Sequence, residues 1–176
     1  HKTGVTMSGV RDDAQFILMN LHSTSSGLSP LIGGPITIEG MWRWDAFQSG
    51  ARLFECGNGG ATPFQHILLS TRDAMGELSL DVYRGSANVK KTVFSGSSND
   101  LLLGIRYHIV AIISGFEMTT YINGKRQNTL ATDGWTPNAV ERTKCYIGKS
   151  SWAQDSFLNG EVSYLKIYSG VMTASG

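Results

Sequence analysis

The sequence predicts an all-β domain, a sandwich or barrel of short antiparallel strands, and three observations carry that expectation. The dominant hydrophobic period is two. Turn-forming residues separate the alternating runs at short intervals. No stretch holds a 3.6-residue period long enough for a substantial helix. Composition agrees, since glycine makes up 21 of 176 residues and proline only 4, glycine being at about twice its average usage. A hydrophobic fraction of 41% is enough to build one sizeable core. No second compositional regime appears, so residues 5–173 are read as one domain, with 1–4 and 174–176 as tails.

Each element has its own local signal. Val5–Gly9 and Gln15–Leu18 read as opening strands, followed by a long connection, Met19–Gly34, without clear periodicity. Pro35–Trp44 alternates, with Ile36, Ile38, Trp42 and Trp44 on one face, the mark of a strand with one buried side. Glu77–Tyr83 alternates with Leu78, Leu80 and Val82 inward, which places Glu77 and Asp81 together on the solvated face. Arg106–Ile113 is nearly continuous in apolar residues and reads as a central strand covered on both faces. Asn123-Gly124 between Met118–Ile122 and Lys125–Gln127 is a type I′ hairpin signal. Gly57–Gly60, Ser95–Asp100 and Thr132–Gly134 read as further loops. Gly160–Tyr168 closes the chain as a strand, and pairing it with the first strand would leave no long exposed edge.

Charge excludes several functions. Fifteen basic and 14 acidic residues give a net charge of +1, and only 16% of residues are charged, against about a quarter in typical domains. The longest basic run is Lys90-Lys91, so the phosphate-neutralising patch of a nucleic-acid binder is missing. Leu101–Ile113 is the most apolar stretch, but Gly104, Arg106 and His108 interrupt it and it is too short to insert across a bilayer. Cys56 and Cys145 both fall in strand-like runs and are read as buried reduced thiols, a single bridge being the alternative. No Asn-x-Ser/Thr sequon occurs. The chain begins with His1 rather than Met and is read as a processed product or a domain of a longer protein.

The order of motifs resembles a known family. Val5–Gly9 with Asp13–Ile17 resembles the opening strand pair of laminin-G-like domains, and Ile36–Trp42 their "F-T-I-E-A-W" strand. Arg52–Gly57 is similar to the strand and glycine turn that follow, and Arg106–Ala111 to their "W-H-H-V-A" strand. Tyr121–Lys125 resembles "Y-V-D-G-K", Tyr146–Gly148 "L-x-I-G", and Phe157–Tyr168 the closing "F-x-G-x-I-D-E-V-R-I-Y". The resemblance implies a two-sheet antiparallel jelly-roll sandwich of the concanavalin A-like/laminin-G-like superfamily. It also implies extracellular or cell-surface placement and roles in carbohydrate binding or adhesion. Ser163-Tyr164 replaces the family's closing acidic pair, which weakens a metal role there.

Candidate chemistry points to binding rather than catalysis. Glycanases of this superfamily need two carboxylates on one strand, and no Glu-x-Asp-x-x-Glu cluster is present. No nucleophile elbow supports a Ser/His/Asp site either. A sugar site needs an aromatic platform beside planar polar groups. Trp135 with Asn138, and Trp152 with Gln154 and Asp155, offer this in polar loops. The competing role for either tryptophan is closure of the open end of the core. Laminin-G-like domains often hold Ca²⁺ at a loop rim, for which Asp13, Asp45 and Asp155 are the candidates. The expectation is a non-catalytic module with a carbohydrate as leading ligand; the alternative is a protein-interaction or structural domain of a larger surface protein.

Overall fold

The protein was analysed as a computed structural model that describes residues 5–7, 17–18, 31–72, 75–97 and 100–172. In chain order the strands are β1 (Val5–Met7), β2 (Ile17–Leu18), β3 (Leu31–Ile32), β4 (Ile36–Ala46), β5 (Arg52–Gly57), β6 (Ile67–Thr71) and β7 (Leu78–Tyr83). They continue with β8 (Lys90–Phe94), β9 (Arg106–Ile113), β10 (Gly115–Ile122), β11 (Lys125–Trp135), β12 (Val140–Glu141), β13 (Lys144–Ile147) and β14 (Asn159–Ser169). No helix occurs among the described residues. The first sheet runs β1-β14-β4-β9-β10-β11, the second β2-β13-β5-β6-β7-β8, and β3 pairs with β12 apart from both. Neighbours in both sheets are antiparallel, from β1 against β14 to β7 against β8. The first and last strands pair as the sequence implies, with Val5 opposite Val162 and Met7 opposite Gly160.

The inward faces meet in one core. Trp42 and Trp44 of β4, Phe54 of β5, Ile67 and Leu69 of β6, and Leu78, Leu80 and Val82 of β7 are all fully buried. Burial of a side chain of this size contributes roughly 2–3 kcal/mol. The period-two reading of β4 and β7 therefore named their inward residues correctly. The Asn123-Gly124 hairpin has φ of 50° and 77°, both in the left-handed region that a type I′ turn requires.

Four expectations need correction. Cys56 and Cys145 are joined in a disulfide, because β5 and β13 place the two residues directly opposite each other. From Arg106 to Ala111, β9 alternates exposed or half-exposed positions with buried ones, so Arg106, His108 and Val110 share a face that is not buried. Thr132–Gly134 is not a loop but part of β11, where positive φ at Asp133 and Gly134 accommodates a register shift against β10. The outer face of β7 is not solvated: Ser79, Asp81 and Glu77 are 4%, 8% and 7% exposed.

Candidate functional site

Alternation on the second sheet sends one set of side chains into the core and the other outward. The outward set is Glu55 on β5, Leu68 and Ser70 on β6, Ser79, Asp81 and Tyr83 on β7, and Lys90, Thr92 and Phe94 on β8. Register aligns them in rows, with Ser70 opposite Ser79, Leu68 opposite Asp81, Asp81 opposite Thr92 and Tyr83 opposite Lys90. These rows floor a groove of about 310 Å³ whose wall is completed by Arg52, Arg72 and Asp155.

The groove is polar but ordered. Asp81 accepts hydrogen bonds from Ser79 Oγ at 2.8 Å and from Thr92 Oγ1, and Lys90 Nζ stands 3.8 Å from it. Two aromatic rings each carry a cation: the Arg72 guanidinium lies 4.8 Å from the Phe94 ring centre, and Lys90 Nζ 5.3 Å from that of Tyr83. Arg72 also donates from Nη1 to Glu77 Oε2 at 3.1 Å. The side chains of Arg72 and Lys90 are 51% and 44% exposed, so each reaches solvent while its aromatic partner fixes its direction.

One wall is built by the 149–157 loop. Trp152 does not close the end of the core; it packs down on the outer face of the sheet. Its ring lies 4.6 Å from His66 and is stacked on Phe64 at 6.1 Å, with the Arg52 guanidinium 5.7 Å away. Beneath it Glu55, fully buried, accepts the Ser151 N–H at 3.1 Å and faces His66 Nδ1 at 3.2 Å. The other ring nitrogen, Nε2, donates to the Gly59 carbonyl at 2.8 Å. Burial alone would raise the Glu55 pKa, but hydrogen bonds from His66 and Ser151 and the nearby Arg52 charge bring it below the usual carboxylate value. Asp155 locks the loop by accepting from Arg52 Nη2 at 3.0 Å and from Ser150 Oγ at 2.7 Å. Ser150 Oγ in turn accepts the Trp152 N–H at 3.1 Å.

The structure separates the sequence-derived site residues. Trp152 and Asp155 stand together in the wall, and Gln154 is exposed on the same loop. Trp135 is the last residue of β11, not a loop residue, and the Arg84 guanidinium covers its ring at 4.6 Å. Asn138 joins that second cluster, accepting from Arg84 Nε at 2.9 Å and donating to Gln65 Oε1 at 3.2 Å. Arg142, buried behind it, donates to the carbonyls of Gln65, Ile32 and Asn138, and burial lowers its pKa to about 10. Among the Ca²⁺ candidates, Asp13 lies outside the described residues. Asp45 is held by Arg43 at 3.1 Å and Asp155 by Arg52. Among the described residues no three His, Cys, Asp or Glu side chains converge as metal ligands would.

Sequence reasoning missed Arg52, Arg72, Tyr83, Lys90 and Phe94. The available signal was faint: Lys90, Thr92 and Phe94 repeat every second residue, as do Ser79, Asp81 and Tyr83, but only register shows that the two sets face each other.

Comparison with known proteins identifies the class to which this architecture belongs. A family model described as the concanavalin A-like lectin/glucanases superfamily matches residues 22–175, and the chain belongs to that superfamily. No curated protein matches the sequence. Among solved structures, it is similar to the Ruminococcus gnavus IT-sialidase CBM40 bound to α2,3-sialyllactose, with a TM-score of 0.76 and 13% identity over 99% of this chain and 93% of that one. A leech intramolecular trans-sialidase complexed with 2,7-anhydro-Neu5Ac aligns with a TM-score of 0.77 and 13% identity, over 99% of this chain and 26% of that one. Domains LG4-5 of the mouse laminin α1 chain align at 0.66 with 13% identity, over 93% of this chain and 40% of that one. At these identities the likeness shows the shared jelly-roll sandwich.

Proposed function

We propose that this protein is a non-catalytic glycan-binding module whose groove on the outer face of β5–β8 takes a sugar bearing a carboxylate. The observation that carries the reading is the groove's composition. Hydroxyls of Ser70, Ser79 and Thr92, the Asp81 carboxylate, and cations fixed over Tyr83 and Phe94 line one depression. Sugar hydroxyls need paired donors and acceptors, and a carboxylate needs a pre-oriented cation. Both are present. The sialyllactose in the R. gnavus module and the sialic-acid derivative in the leech enzyme support a sialylated glycan as the leading candidate.

Three further points belong to this reading. The groove's carboxylates, Asp81 and Asp155, are each tied to hydroxyl and cationic partners, an arrangement suited to holding a ligand rather than cycling protons. In this reading binding needs no Ca²⁺ at Asp45 or Asp155, which are paired with arginine. The likeness to a carbohydrate-binding module and to laminin domains supports placement outside the cell or on its surface. No helix among the described residues is long and apolar enough to cross a membrane.

A protein-docking role has one observation in its favour. Leu102, Leu103 and Ile105 are 57%, 51% and 49% exposed on a single loop. A glycan array followed by calorimetry with 3′-sialyllactose distinguishes the readings. Wild-type protein binds the sugar, with or without EDTA, and Arg72→Gln with Lys90→Gln loses at least about tenfold in affinity. Absence of glycan binding, or binding indifferent to both substitutions, overturns the groove assignment.

A further inference from the structure

The outer face of the second sheet carries more than the groove. Beyond the 149–157 loop lies a second depression of about 490 Å³, lined by Lys144, Tyr146, Lys149, Trp152 and Phe157, and by Asp155. Asp155 also lines the groove, so the two depressions share one wall. The second repeats the chemistry of the first: Lys149 Nζ lies 5.0 Å from the Tyr146 ring centre, as Lys90 lies over Tyr83 and Arg72 over Phe94. Between them the Arg52 guanidinium lies 5.7 Å from the Trp152 ring centre. Four cation–aromatic pairs thus cross the sheet from β8 to β13.

Charge favours an anion in the second depression as well. Among the described residues that line it, Lys144 and Lys149 are the cations and Asp155 is the carboxylate. That carboxylate is already bound by Arg52 and Ser150 on its Oδ2 atom. Aromatic faces accept the apolar faces of sugar rings, and ammonium groups accept carboxylate or sulfate substituents.

Resting on the glycan reading above, we propose that the binding site extends past the 149–157 loop and recognises an oligosaccharide with a second anionic group. The first acidic sugar occupies the groove, the chain crosses at Asp155, and the second anionic group meets Lys144 and Lys149. Recognition is then of an oligosaccharide of repeated acidic sugars rather than of a single acidic terminus.

Calorimetry with two probes, 3′-sialyllactose and disialyllactose, tests this on wild-type protein and on Lys144→Gln/Lys149→Gln. Wild type binds the doubly acidic sugar about tenfold more tightly than the singly acidic one, as two added charge contacts imply. The double variant binds both sugars alike, with its affinity for 3′-sialyllactose and its melting temperature unchanged. Equal affinity of wild type for the two sugars overturns the proposal while leaving the groove reading intact. So does a double variant that keeps the preference. If neither sugar binds wild type, the groove reading fails, and the extension fails with it.

Discussion

Glu55 shows how one residue joins the scaffold to the site. It is fully buried on the outer face of β5, beside His66 and Arg52, and it holds the Ser151 N–H of the wall loop. Removing its charge would disturb a fully buried network at His66 and the Ser151 N–H, while Arg52 keeps Asp155, a loss of about 1–3 kcal/mol. Glu55→Gln is therefore expected to lower unfolding stability by about that amount in urea denaturation and to weaken glycan binding through the loop. The pH dependence follows in sign. Glu55, Glu39 and Glu161 are all held below their ordinary value of 4.5. Burial opposes ionisation of Glu55 and Glu39 but is outweighed by hydrogen bonds, while Glu161 is lowered chiefly by Arg106. The stability they contribute is present above that ordinary value and is lost as pH falls through their lower folded-state values. Melting temperature should thus hold from pH 7 to about 5 and fall in more acidic buffer. A melting temperature that stays flat down to pH 3 would contradict these assignments.

Among the elements, the 149–157 loop and the strand pair β5–β13 decide the shape of the site. Gly50 has φ of +73°, and a Cβ there would lie 2.5 Å from Asp155 Cγ. Gly50→Ala should cost about 1–2 kcal/mol and displace Asp155 from Arg52. Calorimetry should then show weaker sugar binding than the stability loss alone explains. Cys56–Cys145 spans 89 residues of sequence, and closing a loop of that length restricts the unfolded chain by about 4 kcal/mol. Reduction should lower the midpoint of thermal unfolding accordingly, whereas an unchanged midpoint would show that the staple contributes nothing. These elements also explain what was legible beforehand. Trp42, Trp44, Leu80 and Val82 could be placed because a one-residue slip of their strands would turn all of them to solvent. The disulfide could not, since it depends on Cys145 meeting Cys56 in register rather than on spacing. Trp135 was misplaced because Asp133-Gly134 resembles a turn, when the positive φ there serves a bulge in β11.

At the scale of the whole molecule, the two sheets have different outer faces. The first carries a cluster in which Glu39 accepts from His108, Tyr164 and Tyr168. Burial, and then the hydrogen bond that the Tyr164 hydroxyl donates to Glu39, push that hydroxyl up to a pKa of about 12. The second presents a groove and a side depression divided by a loop. Family motifs in the sequence report the sandwich, because turns and inward residues recur along one strand at a time. They do not report the groove, whose Arg52, Arg72, Asp81, Lys90 and Asp155 come from separate strands and loops. Apart from Asp155, which the loop tryptophan beside it marks, each is indistinguishable in sequence from an ordinary outward residue. The function proposed for the molecule therefore rests on tertiary register, and the most direct test is one that reads out position.

That test is a titration of ¹⁵N-labelled protein with 3′-sialyllactose, followed by amide chemical shifts. Saturable shifts confined to Arg52, Ser70, Arg72, Ser79, Asp81, Tyr83, Lys90, Thr92 and Asp155 are the predicted result. Shifts centred instead on the Leu102–Ile105 loop or on the outer face of the first sheet, or no shifts at saturating sugar, would contradict it.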